Sequence, residues 1–190
     1  MNPIRLARPT DAPAIQAIYA PVVRDTAISF EYEVPSVREM QRRIEEVLAV
    51  RPWLVFESDG GVLGYAYARP YRERAAYAWG VEAGIYVDTA AQQRGIGRRL
   101  YGTLFDVLRA LGYCQVWASA TVPNESSERL HACMGFELVG RFPAAGYKFG
   151  RWHDSVFWRL PLRELPAEAP PIGNINDLVK TARWRWLTRE

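Results

Sequence analysis

A short glycine-containing turn between a strand pattern and a helix pattern carries the clearest chemistry in this sequence. Residues 85–87 are an apolar, strand-like run, and Gly95 and Gly97 follow at the start of a long amphipathic stretch. The first turn of a helix has backbone N–H groups without intrahelical partners and a partial positive charge. The glycines leave room for an anion, and Arg94 and Arg98 add positive charge beside it. The spacing predicts a site for a phosphate-bearing ligand.

Two common nucleotide-binding motifs do not fit this turn. A P-loop ends in Gly-Lys followed by Ser or Thr, and a dinucleotide-binding turn needs a third glycine in register; neither is present. What remains is the spacing Gln92-x-x-Gly95-x-Gly97, which alone is equally consistent with an ordinary strand-to-helix connection. The helix after it is predicted from apolar residues that repeat at intervals of three and four: Ile96, Leu100, Leu104, Val107, Leu108 and Leu111.

The elements that must position this turn predict an α/β fold. The chain has 190 residues, 49% of them hydrophobic, which is enough for one well-buried domain. Its hydrophobic periodicities predict the order β, α, α, β, β, β, α, β, α, β, β. Thr10 is predicted to cap the first helix and Ser36 the second. The last two strands are predicted at residues 136–142 and 156–160.

The amino-acid composition of the chain changes after residue 162. Prolines interrupt residues 163–190, which also carry a basic, tryptophan-bearing run. We predict a tail outside the core fold. Its tryptophans are expected to pack on the domain or on a partner subunit in preference to a membrane or nucleic acid.

Composition narrows the classes of partner. With 24 Lys and Arg against 21 Asp and Glu, the net charge of +3 gives no reason to expect nucleic acid. Cys114 and Cys133 lie in apolar surroundings without the spacing of a metal site and are predicted to be reduced thiols in the core. No apolar run approaches the ~20 residues of a membrane span, and the amino terminus lacks a signal-peptide pattern. We therefore expect a cytoplasmic protein with no metal and no membrane partner.

The later motifs resemble those of a known family. Asn124 and His131 lie in a helix pattern that Gly135 can end, and the run GYKFGRWHD begins at Gly146. Together they resemble the phosphinothricin N-acetyltransferase branch of the GCN5-related N-acetyltransferases (GNATs), which includes acetyltransferases of methionine sulfone and methionine sulfoximine. The resemblance covers about residues 3–162. It implies the GNAT fold, a mixed and mostly antiparallel sheet flanked by helices, for a domain of residues 1–162.

The resemblance also implies the reaction and the roles of particular residues. Acetyl would pass from acetyl-CoA to the α-amino group of a small amino acid whose side chain has a tetrahedral phosphinate, sulfone or sulfoximine centre. Glu82 and His131 correspond to the family's acid/base pair. The residues that would bind the cofactor are Ile85, Tyr86 and Val87 along the pantetheine arm, Gln93, Arg94, Gly95, Ile96, Gly97 and Arg98 around the pyrophosphate, and Asn124. This branch commonly forms homodimers, so a homodimer is expected.

The transfer of acetyl to an amine requires a proton acceptor, and a carboxylate on this strand can be that acceptor. An amine is mostly ammonium at neutral pH and must lose a proton before it attacks a thioester. Alternation along a strand puts Glu82, Gly84 and Tyr86 on one face, so a carboxylate can reach the amine directly or through one water. Many relatives carry larger polar residues where this chain has Ala83 and Gly84, which puts the identity of the substrate in doubt.

Three further residues complete the predicted substrate site. Arg72 and Arg74 are candidates to pair with the carboxylate of the amino acid. Phe30 lies in the apolar and acidic run AISFEYEV, which reads equally as a short strand or helix edge and as a wall of the substrate site. Two alternatives stay open: the same transfer to another amine, such as a polyamine, an arylamine or a protein terminus, and an acyl-CoA sensor without catalytic activity.

Overall fold

The computed structural model describes residues 3–188 and contains the predicted order of strands and helices. Seven strands form one sheet in the order β1-β2-β3-β4-β5-β7-β6, and every neighbouring pair is antiparallel except β4 and β5. The elements are β1 (Ile4–Leu6), α1 (Ala12–Asp25), α2 (Val37–Leu48), β2 (Trp53–Ser58), β3 (Gly61–Pro70), β4 (Gly80–Val87), α3 (Ile96–Leu111), β5 (Gln115–Val122), α4 (Glu125–Cys133), β6 (Glu137–Lys148), β7 (Arg151–Pro161), α5 (Ile175–Leu178) and α6 (Ala182–Leu187).

The sheet separates two apolar cores. Alternation along β2 points Leu54 and Phe56 toward α3, while Trp53 and Val55 point toward α1 and α2. The predicted face of α3 is buried on the first side. Helices α1 and α2 cover the opposite face, so the two faces of the sheet border different layers of helices.

Two sequence-based details of the elements were only partly right. Ser36 caps α2, since its Oγ accepts a hydrogen bond from the backbone N–H of Glu39 at 3.1 Å. Thr10 does not cap α1, which begins at Ala12 after a single 3-10 turn. The carboxylate of Asp11 there is instead bound by the guanidinium of Arg5.

The last hairpin is longer than predicted. Strands β6 and β7 run on through the GYKFGRWHD segment and pair to its tip, where Tyr147 faces Trp152 and Lys148 faces Arg151. The turn consists of Phe149 and Gly150, both with positive φ. The glycines and charges that indicated a loop therefore belong to a strand with a register shift between Phe142 and Gly146.

Strands β4 and β5 form a fork. Each has eight residues, yet they pair only over Gly80–Glu82 and Gln115–Trp117. Beyond Glu82 the two strands separate, while β4 stays paired with β3 on its other side. The backbone of β4 from residue 83 to 87 therefore has one edge that no strand occupies.

The segment after β7 packs differently from the predicted tail outside the core. Ile175 is fully buried and Leu178 nearly so, and both belong to the core that α3 covers. Side-chain amides of Asn174 and Asn176 donate to the carbonyls of Ala49 and Leu48 at the end of α2. This segment therefore closes the α3 side of the domain. Among the described residues, none of the helices has the length and hydropathy needed to cross a bilayer.

Candidate active site

Glu82 lies at the point where β4 and β5 separate. Its Oε1 accepts hydrogen bonds from Arg69 Nη2 at 3.0 Å and from Ser119 Oγ at 3.1 Å. Ser119 is on β5, so the second bond spans the fork. Within residues 3–188, no hydrogen bond to Oε2 of Glu82 is present. One carboxylate oxygen is thus held in place and the other is available to a ligand.

A cleft of about 400 Å³ lies on the cofactor side of the fork, between β4, the start of α3 and α4. Of the residues predicted to bind acetyl-CoA, nine line this cofactor cleft: Ile85, Tyr86, Val87, Gln93, Gly95, Ile96, Gly97, Arg98 and Asn124. Arg94 does not line it, because its guanidinium turns back to the carbonyl of Ala90 at 3.0 Å.

The start of α3 explains why glycines are needed there. Gly95 caps the helix in the left-handed conformation at φ 76°, and the position a Cβ would take is open space. A Cβ at Gly97 would lie 3.3 Å from the Leu130 side chain of α4. The residues of this first turn line the cleft, and the amides of a first helical turn have no intrahelical partner. These features fit a phosphate group, and the unpaired edge of β4 fits the amide-bearing arm of coenzyme A.

His131 lines the cofactor cleft from α4 but is only 3% exposed. Its ring stacks on Trp158 at 4.6 Å between centroids. Nδ1 lies 2.7 Å from the carbonyl oxygen of Ser127, which only accepts, so Nδ1 carries the proton. Nε2 then accepts from the Tyr101 hydroxyl at 3.4 Å. Burial lowers the pKa of His131 below its ordinary value of 6.5, so the imidazole is neutral at neutral pH.

A second cleft of about 690 Å³ lies on the α1 and α2 side of the fork. Three candidate site residues, Glu82, Gly84 and Phe30, line this cleft, which we name the substrate cleft. Arg72 and Arg74 do not line either cleft. The guanidinium of Arg72 lies over the rings of Tyr71 and Tyr77, and Arg74 precedes a 3-10 turn at residues 75–77. Two other arginines line the substrate cleft, Arg43 of α2 and Arg69 of β3.

The wall contributed by α1 and α2 is a hydrogen-bonded network. Arg43 donates to both carboxylate oxygens of Glu31 at 2.8 and 3.0 Å, and the Tyr19 hydroxyl donates to Oε1 at 2.9 Å. Burial acts to raise the pKa of Glu31, but the hydrogen bonds from Arg43 and Tyr19 hold that pKa below its ordinary value. Burial raises the pKa of Tyr19 to about 12, so its hydroxyl remains a donor.

The floor of the substrate cleft follows from strand register. Across the β3–β4 pair, Tyr67 is opposite Gly84 and Arg69 is opposite Glu82. A Cβ at Gly84 would lie 2.6 Å from the ring of Tyr67 and 2.8 Å from its hydroxyl oxygen. The ring of Tyr67 therefore occupies the space that a side chain at residue 84 would fill. This ring stacks on that of Trp53 with 4.4 Å between centroids. The alternation of Tyr65, Tyr67 and Arg69 along β3 is the sequence signal that could have found this floor.

The two clefts share residues at the fork. Both are lined by Ile28, Ala83, Gly84, Tyr86, Ser119 and Ala120. A cofactor lying along β4 and an amine entering between α1 and α2 would meet beside Gly84, next to Glu82. No group of three or more potential metal ligands occurs within residues 3–188.

Comparison with known proteins agrees with this geometry. Residues 4–157 match the acetyltransferase (GNAT) domain family. The chain is 37% identical over 175 residues to the phosphinothricin N-acetyltransferase of Streptomyces viridochromogenes, covering 92% of this chain and 95% of that protein. It is 35% identical over 162 residues to the L-methionine sulfoximine/L-methionine sulfone acetyltransferase of Salmonella typhimurium, covering 85% and 95%.

A solved structure has the same architecture. The crystal structure of a GNAT superfamily phosphinothricin acetyltransferase from Sinorhizobium meliloti, in complex with acetyl-CoA, superposes with a TM-score of 0.85 at 37% identity. The match covers 92% of this chain and 95% of that one. The family implied by the sequence motifs is thereby confirmed, and this chain belongs to the GNAT acetyltransferases.

Proposed function

We propose that this acetyl-CoA-dependent N-acetyltransferase acetylates the α-amino group of a small amino acid with a tetrahedral side-chain centre, as in phosphinothricin, methionine sulfone or methionine sulfoximine. The observation that carries the proposal is the position of Glu82, with one oxygen fixed and the other available, where the two clefts meet. The names of the relatives at 35–37% identity support the substrate class.

Glu82 is proposed as the general base. The incoming ammonium gives a proton to Oε2, directly or through a water, and the neutral amine then attacks the thioester carbonyl. The C–N bond forms and the C–S bond breaks, so coenzyme A leaves as a thiolate, which takes up the second proton that the amine nitrogen loses. Ser119 and Arg69 hold the carboxylate through Oε1. The backbone edge of β4 and the start of α3 hold the cofactor in line, so the reaction is accelerated by positioning as well as by proton transfer.

His131 is proposed to act from the cofactor side through Tyr101. A neutral imidazole whose Nδ1–H is bound to Ser127 has no free proton to give, which argues against His131 as the acid that protonates the departing thiolate. Its Nε2 instead fixes the Tyr101 hydroxyl, which lines the cofactor cleft. The acid/base pair of the sequence interpretation thus becomes a base, Glu82, and a positioning residue, His131.

The charges of the substrate cleft favour an amino acid over a polyamine. Arg43 and Arg69 offer planar N–H donors that suit a carboxylate or the oxygens of a phosphinate or sulfone. The acidic groups that line the cleft, Glu31, Glu46 and Glu82, are each already bound by an arginine. A polyamine would require uncompensated carboxylates. The proposal gives no role in substrate binding to Arg72 and Arg74.

A homodimer in the cytoplasm, the compartment that supplies acetyl-CoA, is part of the proposal. The β6–β7 hairpin ends the sheet and exposes a run of large apolar side chains: Leu138, Val139, Phe142, Tyr147, Phe149 and Trp152. Contiguous apolar surface of this kind marks interfaces. Sedimentation of the wild-type protein should show a dimer, and the double variant Leu138→Lys, Val139→Lys should be a monomer. The control Val50→Lys, at an exposed site elsewhere, should remain a dimer. A wild-type monomer at micromolar concentration would contradict the proposed dimer.

The function is tested by measuring coenzyme A release with purified enzyme and a panel of amines. The panel holds phosphinothricin, methionine sulfone, methionine sulfoximine, unmodified methionine, spermidine, an arylamine and an N-terminal peptide. We expect the highest kcat/KM with one of the first three. Turnover of only spermidine, the arylamine or the peptide would reject the substrate class, and acetyl-CoA binding without turnover on any amine would indicate a sensor.

A further inference from the structure

The loop between α1 and α2 forms a wall of the substrate cleft without regular structure of its own. Residues 26–34 contain no helix or strand, yet Ile28, Ser29, Phe30 and Glu31 all line the cleft. A wall made of loop defines a shape only if something outside the loop fixes it. The tip of the β6–β7 hairpin does so at three consecutive residues, 146 to 148, which we name the loop clasp.

Lys148 is the strongest part of the clasp. It is 3% exposed, and its Nζ donates to the carbonyls of Val23 at 2.7 Å, Thr26 at 2.9 Å and Ser29 at 2.7 Å. Three bonds use all three hydrogens of an ammonium group, and a neutral amine has only two. The carbonyl of Val23 belongs to the last turn of α1, where a cation also complements the helix dipole. Lys148 therefore joins the end of α1 to the loop that follows.

Among residues 3–188, no carboxylate forms an ion pair with the buried charge at Lys148. Burial lowers the pKa of Lys148, and Glu31 acts in the opposite direction through its charge alone. A methionine or leucine in this place would fill the space without desolvating a charge. Lysine at residue 148 is therefore explained by its hydrogen bonds to three carbonyls and not by the packing of its side chain.

The other two residues of the clasp hold the remainder of the loop. A Cβ at Gly146 would lie 2.4 Å from the ring of Phe30, so the ring rests directly on the glycine backbone. The carbonyl of Tyr147 accepts a hydrogen bond from the hydroxyl of Tyr32. Successive residues of one strand therefore contact Phe30, Tyr32, and the backbone of Thr26 and Ser29.

We propose that the loop clasp determines which amino acid side chain the enzyme accepts, and that Lys148 is a positioning residue for that substrate and not for acetyl-CoA. The clasp contacts Ser29 and Phe30 directly. Of the loop residues, Ser29, Phe30 and Glu31 line the substrate cleft alone, whereas Ile28 lines both clefts. The inference rests on the proposed function, because it assigns the α1 and α2 side of the fork to the amine.

The test compares Lys148→Met with wild type in steady-state kinetics for both substrates. Methionine keeps the length of the side chain and removes all three donors. We expect KM for the amino acid to rise by about tenfold or more, since small misplacements of a binding wall are costly, while KM for acetyl-CoA stays within about twofold. Equal increases in both KM values would overturn the proposal.

Arg5→Met is the matched control for a merely structural loss. Arg5 lies by β1, away from both clefts, and also makes several hydrogen bonds, to Asp11, Glu57 and a backbone carbonyl. It should lower thermal stability without changing the KM for the amino acid. If Arg5→Met and Lys148→Met change the two KM values alike, Lys148 acts only on stability and the proposal fails.

Gly146→Ala provides a second test that does not depend on Lys148. The added methyl group must displace Phe30, so the preference between long and short amino acid side chains should change while turnover with acetyl-CoA at saturation persists. An unchanged preference would count against the clasp. If the wild-type enzyme acts only on a different amine, the proposed substrate class is wrong. The KM values for that amine and for acetyl-CoA, compared between wild type and Lys148→Met, then still decide whether the clasp positions the amine.

Discussion

The cofactor cleft and the substrate cleft meet beside Gly84, next to Glu82, but are built in different ways. The cofactor cleft uses the free edge of β4 and the amides of the first turn of α3, both within residues 83–98, with α4 closing it. The substrate cleft is lined by residues from α1, α2, the loop between them and the strands β2 to β5 and β7. Backbone groups offer the same contacts whatever residues surround them. A family can therefore keep one cofactor while its substrate changes with a few side chains.

The largest effect is expected at Glu82, which lines the substrate cleft next to the residues that both clefts share. Glu82→Gln keeps the shape and removes the basic carboxylate, so kcat should fall by about 10²–10⁴ at neutral pH. The deficit should shrink at higher pH because more of the amine arrives deprotonated. Affinity for acetyl-CoA, measured by calorimetry, should hardly change. Wild-type kcat at every pH would remove Glu82 from the mechanism.

The next largest effect should fall on the cofactor cleft alone. A leucine at Gly97 would meet Leu130 and occupy the space beside the start of α3. We expect its dissociation constant for acetyl-CoA to rise by about tenfold or more, or at least ~1.4 kcal/mol. Gly102→Leu is the control. Gly102 lies in the same helix, and a Cβ there would have no neighbouring atom within 4 Å. If both variants bind equally well, the pyrophosphate lies elsewhere.

A third experiment sharpens the account of the substrate cleft. Arg43→Ala removes a charged donor from its wall, and we expect the KM for the amino acid to rise by about tenfold or more. Arg72→Ala, whose guanidinium lies over Tyr71 and Tyr77, should leave it near the wild-type value. The reverse result would restore the sequence-based assignment of Arg72 and show that the wall arginines serve only the fold.

The smallest effect concerns stability and involves the cofactor side. Because burial lowers the pKa of His131, the unfolded chain takes up a proton near pH 6.5 before the folded protein does. His131 thus stabilises the fold above that pH, and the contribution is lost as the pH falls toward its folded pKa. Urea unfolding from pH 7.5 to pH 5 should show a steeper loss for wild type than for His131→Gln. Parallel curves would mean that the ring is already solvated.

Features formed by residues that are close together in the sequence were the easiest to predict. The order of elements follows from hydrophobic periodicity and the glycine turn from its spacing, whereas the family resemblance implied the roles of Glu82 and of the cofactor-binding residues. The floor and wall of the substrate cleft depend instead on register and packing between distant segments. Arg43 looks like one more charge on the exposed face of α2, and Arg72 and Arg74 were preferred only because they precede β4 in the chain.

The last hairpin and the segment after it show the same limit. The glycines and charges of residues 146–154 indicated a loop, whereas cross-strand pairing carries β6 and β7 through them. Prolines after residue 162 correctly indicated an end to regular strands. They gave no sign that Ile175 would be buried, because that burial depends on the surface that α3 presents.

The burial of Ile175 and Leu178 has a consequence for synthesis. A nascent chain that has emerged as far as residue 162 contains every strand of the sheet but not the two side chains that complete the core over α3. Until residue 178 leaves the ribosome, that apolar surface is open to chaperones and to other nascent chains. Slow translation of the proline-rich stretch after residue 162 would prolong this exposure, so the yield of folded enzyme in cells should depend on codon choice there more than in the sheet itself.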